Sequence, residues 1–80
     1  MRIEVVLFAT LRRYAPSDLK IGEARYIEVE AGTTLAQLRD SLGLPADEVK
    51  IVMRNNLQAE LEDIAADGDR IAYLPAVAGG

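Results

Sequence analysis

One stretch of this chain carries a clear helical period: TTLAQLRDSLGLP, residues 33–45. Leu35, Leu38 and Leu42 recur at i, i+3 and i+7, which places them on one face of an α-helix. Thr34 is positioned to cap that helix, and Gln37 three residues later completes a capping-box pattern. Gly43 supplies a left-handed stop, and Pro45 follows it. The spacing predicts about three turns, long enough to lie across one face of a small sheet. A lone helix cannot bury its apolar stripe by itself, so the rest of the chain must provide the opposing surface.

That surface is legible as period-two alternation. In RIEVVLFA, Ile3, Val5 and Leu7 share one face, and Arg2, Glu4, Val6 and Phe8 share the other. TLRRYAPSDLKIGE is a connection, with a short helical turn expected from Leu11 to Tyr14 and ended by Pro16. ARYIEVE alternates again, with Ile27 and Val29 inward. VKIVMRN predicts a third strand with Val49, Ile51 and Met53 on one face. Asn55 and Asn56 suit a tight turn, because asparagine tolerates positive φ. LQAELEDIAA is ambiguous between a short strand and a helical turn. Asp67-Gly68-Asp69 reads as a turn, and RIAYLP as a last strand closed by Pro75, which cannot donate to a ladder. Ile71 and Tyr73 fall on one side of it, Ala72 and Leu74 on the other.

Strand, strand, helix, strand, minor strand, strand is an α+β order: a mixed sheet of four to five strands with one main helix on one face. The expected core sets the three leucines against Ile3, Val5, Leu7, Ile27, Val29, Ile51, Ile71 and Tyr73. The other face stays open to water or to a partner. Phe8 and Leu74 then emerge together on that open face as a docking patch, with Val6 beside them and Val52 as a further candidate.

Composition narrows the chemistry. Eighty residues make one small domain. There is no Cys and no His, which removes thiolate chemistry and the usual general base. Thirteen acids against nine bases give a net charge of −4 without a basic stripe, so no nucleic acid is expected. The longest apolar run, residues 5–9, is too short to span a bilayer, and the N-terminus lacks the pattern of a signal peptide. A cytoplasmic protein with no membrane attachment is the expectation. Glu60, Glu62 and Asp63 read as a solvated acidic face, and Arg12-Arg13 as a surface pair. The glycines at 22, 32, 43 and 68 are too isolated to form a phosphate loop.

The end of the chain, YLPAVAGG, poses a separate question, since it holds no charged side chain. Residues 75–80 reach roughly 20 Å when extended. Gly79 and Gly80 could thread a slot that admits no side chain. A bare carboxylate is a poor electrophile, but adenylation would give it a leaving group. Gly-Gly alone equally suits a floppy terminus.

Three stretches combine into a more specific pattern. VLFATLRRYAP is similar to a signature LFA-x-x-R at Leu7, Phe8, Ala9 and Arg12. GTTLAQL is similar to Gly-x-Thr-hydrophobic-x-x-Leu at Gly32, Thr34, Leu35 and Leu38. DGDRIAYLPAVAGG is similar to an ending DGD-x-V-x-x-x-P-P-V-A-G-G, matched at Asp67, Gly68, Asp69, Pro75, Val77, Ala78, Gly79 and Gly80. In these the chain resembles the MoaD/ThiS family of sulfur carriers, and VAGG after a proline favours the MoaD branch. Ala76 stands where the family usually has a second proline, which leaves φ unlocked there.

The resemblance implies a ubiquitin-like β-grasp body, residues 1–74, and a flexible tail, residues 75–80. It implies a carrier and cosubstrate rather than an enzyme. Gly80 would be adenylated and converted to a thiocarboxylate, with Gly79, Ala78 and Val77 as the threading tail. Phe8, Leu74 and Pro75 would dock. The implied partners are a ubiquitin-activating-type adenylating enzyme (MoeB/ThiF-like), which would use ATP and magnesium, and a molybdopterin synthase large subunit (MoaE-like). No bound cofactor and no metal are expected. Thiamin thiazole, tungsten cofactor, tRNA thiolation and protein modification remain alternative destinations.

Overall fold

Residues 1–14 and 24–76 are described by the computed structural model. Five strands and one α-helix form: β1 (Arg2–Leu7), β2 (Arg25–Glu28), α1 (Leu35–Ser41), β3 (Ile51–Arg54), β4 (Leu57–Ala59) and β5 (Arg70–Leu74). Two short 3-10 helices, Ala9–Tyr14 and Ala46–Glu48, sit in the connections. Pro16, the expected stop of the first of these, lies outside the described residues.

The sheet order is β2-β1-β5-β3-β4, so the last strand occupies the centre. β1 and β5 are parallel, and the other three pairs are antiparallel. Register places Val5 beside Ile71, Leu7 beside Tyr73, and Tyr73 beside Val52. These residues all face α1, whose Leu35 and Leu38 are fully buried against them, while Leu42 is partly buried. Leu11, Leu44 and Ala65 close the core around its rim.

Helix α1 covers seven residues, about two turns rather than three. The predicted capping box is present: Gln37 N–H donates to Thr34 Oγ1 at 3.1 Å, and Thr34 N–H donates to Gln37 Oε1 at 2.9 Å. The helix is shorter than its apolar pattern because its C-terminus closes early. Gly43 N–H donates to the Asp40 carbonyl and Leu44 N–H to the Arg39 carbonyl, the pair of bonds that defines a Schellman stop. Gly43 takes φ +77° to make it.

The third strand corrects the predicted parity. β3 begins at Ile51, and Val52, not Ile51, enters the core. Val49 is also buried, but it belongs to the end of the preceding 3-10 turn. Two inward residues three apart break the alternation counted from Val49. Ile51 and Met53 therefore lie on the open face, and Val52 is withdrawn from the proposed patch. The ambiguous segment forms β4, a turn, and an isolated bridge between Thr34 and Ile64. Asn55 and Asn56, at φ +52° and +70°, make the two-residue hairpin turn between β3 and β4.

No helix among the described residues is long and apolar enough to cross a membrane.

Candidate functional site

β1 and β5 run side by side in the same direction, so they finish at one end of the sheet. Phe8 N–H donates to the Tyr73 carbonyl at 3.3 Å, which sets the residue after β1 against the end of β5. On the other flank, Lys50 N–H donates to the Leu74 carbonyl at 3.0 Å, and Ile51 pairs with Leu74. The chain beyond Leu74 thus leaves between Phe8 and Lys50–Ile51.

Alternation turns Phe8 and Leu74 away from α1, as the sequence predicts. Phe8 is 38% exposed and Leu74 is half-buried. Together with Met53, Ala72, Asn56 and Arg70 they line a shallow groove of about 230 Å³ on the open face. Val6 pairs with Ala72 on this face but is only 1% exposed, so it contributes no accessible surface. Ile51, 38% exposed, extends the apolar area past Leu74. Pro75 is half-buried and Ala76 exposed, and Val77, Ala78, Gly79 and Gly80 lie outside the described residues.

Sequence reasoning places Phe8 and Leu74 on this face, but not Met53, Ile51 or Arg70. Met53 and Ile51 follow the β3 parity error. Arg70 had a signal: it is even-numbered in a strand whose Ala72 and Leu74 were already assigned to the open side.

The segment after Phe8 is held in place. Ala9 adopts φ +51°, which turns the chain sharply out of β1. The Tyr14 hydroxyl donates to the Glu48 carboxylate, and Arg13 pairs with the same group. One acid thereby joins the two 3-10 helices that flank the end of β5. Arg13, one of the expected surface pair, is exposed and paired to Glu48.

The acids near the Asp-Gly-Asp turn are likewise committed to structure. Asp67 Oδ1 accepts Arg2 N–H at 2.9 Å. Asp69 Oδ2 accepts Ala66 N–H at 2.8 Å, and its Oδ1 accepts the Asn55 side-chain amide at 3.1 Å. Asp63 accepts Glu60 N–H at 3.1 Å and lies 3.4 Å from Arg54. The open face therefore presents a shallow, largely apolar groove beside the end of β5.

The sequence model of the ThiS family matches residues 5–80. No protein with a curated description matches. The solution structure of the Haloferax volcanii HVO 2177 protein is 28% identical over all of this chain and 87% of its own, with a TM-score of 0.75. The crystal structure of H. volcanii small archaeal modifier protein 1 is 25% identical over 95% of this chain and 98% of its own, with a TM-score of 0.70. A complex of subunits 1 and 2 of the molybdopterin-converting factor from Helicobacter pylori contains a chain 25% identical, with full coverage of both and a TM-score of 0.59. The five-stranded mixed sheet with one helix is the ubiquitin-like β-grasp these structures share. Matched from β1 through to Gly80, the chain belongs to the ThiS family.

Proposed function

We propose that this chain is a sulfur carrier that works through its C-terminal glycine. The observation that carries the reading is a family match that runs to Gly80, on a body whose central strand ends beside an open apolar groove. A ubiquitin-activating-type enzyme would seat the groove and use ATP and magnesium. The Gly80 carboxylate would attack the α-phosphate, pyrophosphate would leave, and an acyl-adenylate would form. Sulfide-level sulfur would then attack the acyl carbon, AMP would leave, and a thiocarboxylate would remain. The chain supplies the reactive carboxyl, a tail tip without side chains at Gly79 and Gly80, and the docking residues Phe8, Leu74 and Pro75. It acts as cosubstrate, and the catalytic groups belong to its partners.

The destination we favour is molybdopterin, with this chain as the small subunit of the synthase beside a MoaE-like large subunit. The likeness to a chain of the H. pylori two-subunit complex supports that choice, as does VAGG after Pro75. Mass spectrometry after incubation with the host's adenylating enzyme, ATP and a sulfur source tests the carrier step. Exchange of one oxygen for sulfur adds about 16 Da to the intact chain. An unchanged mass with an enzyme shown to be active on another carrier would overturn it.

A second reading has an observation of its own. The likeness to small archaeal modifier protein 1 supports ligation of Gly80 to lysines of other proteins. Denaturing gels of host extract would then show larger adducts that vanish when Gly80 is deleted.

A further inference from the structure

The open face is graded along the strands. At the end where the chain exits stand Phe8, Leu74 and Ile51, and the next row presents Ala72 and Met53, with Val6 buried beside them. The row beyond is ionic: Tyr26 pairs with Glu4, and Glu4 with Arg70. Arg70 is the charged residue that lines the apolar groove itself, in a chain whose net charge is −4.

Arg70 is also built to receive something. Its Nη1 donates to Glu4, and its side chain is 41% exposed against 25% for Glu4. Nε and Nη2 have no acceptor among the described residues. Those two nitrogens form the edge of a guanidinium that takes a carboxylate through two parallel N–H bonds. Arg2, another cation of this face, is occupied differently, with its guanidinium 4.7 Å above the Tyr26 ring.

We propose that Arg70 is the specificity-determining residue of the docking face, receiving a carboxylate of the adenylating partner. Leu74 lies four positions beyond Arg70, about 13 Å along the strand, and that spacing sets the partner's carboxylate apart from the apolar side chain it seats against Phe8 and Leu74. The spacing fixes the register of the partner along the strands. The apolar end supplies burial, and the ionic end rejects partners that bring a cation or an unpaired polar group there. Glu4 acts as the positioning residue that holds the guanidinium in its socket. This inference rests on the carrier reading, because it takes the adenylating enzyme as the occupant.

A purely structural role for the pair makes a different prediction. Glu4 and Arg70 sit directly opposite on β1 and β5, so a sheet-stabilising pair should tolerate reversal. The test is calorimetric titration of the full chain into the host's adenylating enzyme, with thermal melting in parallel. Arg70→Ala should weaken binding about tenfold. The swapped chain, Glu4→Arg with Arg70→Glu, should melt like the wild type yet bind no better than Arg70→Ala. Wild-type binding should weaken with added salt more steeply than that of Arg70→Ala. Binding of Arg70→Ala within about twofold of wild type, or recovery in the swapped chain, would overturn the proposal. A wild-type chain that is neither bound nor adenylated would instead bring down the carrier reading.

Discussion

Tyr73 shows how one side chain joins the helix to the sheet. It lies on β5, the central strand of the sheet, it is fully buried, and its hydroxyl donates to the Leu35 carbonyl at 2.7 Å. Burial pushes its ionisation well above the usual tyrosine range; the Arg39 cation opposes this, and the Asp40 carboxylate adds a lesser upward push. Tyr73→Phe removes one buried hydrogen bond and should cost about 1 kcal/mol in urea unfolding. The same variant carries a pH signature. A group whose folded pKa is raised contributes stability that is complete below its unfolded value, near about 10, and declines as pH rises above it. Wild type should therefore lose more stability than Tyr73→Phe between pH 9 and 11. Parallel pH curves for the two proteins would contradict the burial account. Tyr73, Phe8 and Leu74 were legible because a strand's alternation follows from any one assigned residue. Met53 and Ile51 were not, because the run from Val49 to Met53 contains two apolar sets and only pairing with β5 chooses between them.

At the scale of elements, the start of α1 explains both a success and a failure of the sequence reading. Its box was legible because Thr34 and Gln37 are three residues apart in the chain. The segment that wraps it was not. Leu35 N–H donates to the Asp63 carbonyl and Ala36 N–H to the Leu61 carbonyl, both at 2.9 Å, while Ala65 N–H donates to the Thr33 carbonyl at 2.8 Å. Residues 60–65 owe their course to these long-range bonds, so no local periodicity announces them. With the first three N–H groups of the helix all accepted within the protein, Thr34 contributes one bond among several. Thr34→Ala should destabilise by about 1 kcal/mol without unfolding the domain. Circular dichroism during urea titration reads this as a lower midpoint at unchanged slope. A changed slope would mean that the cap holds the 60–65 segment as well as the helix.

At the scale of the whole molecule, the described residues already form a closed body by themselves. The described core is closed by α1, residues 60–65 and the two 3-10 turns, and it draws no side chain from beyond Leu74. The open-face groove is likewise lined by described residues up to Leu74. Removal of Gly79 and Gly80 should therefore leave the melting temperature within about 1 °C of wild type, since surface changes away from packed groups cost little. Partner affinity should fall by no more than a few-fold, because Phe8, Leu74 and Arg70 are untouched. Sulfur loading should be abolished, because adenylation would have no glycine carboxyl to act on. The three readouts discriminate jointly: a simple interaction module would keep its activity after the deletion, and a tail packed into the fold would lower the melting temperature. Only a carrier that docks by its sheet face and reacts at its tip combines an intact fold, retained docking and complete loss of loading.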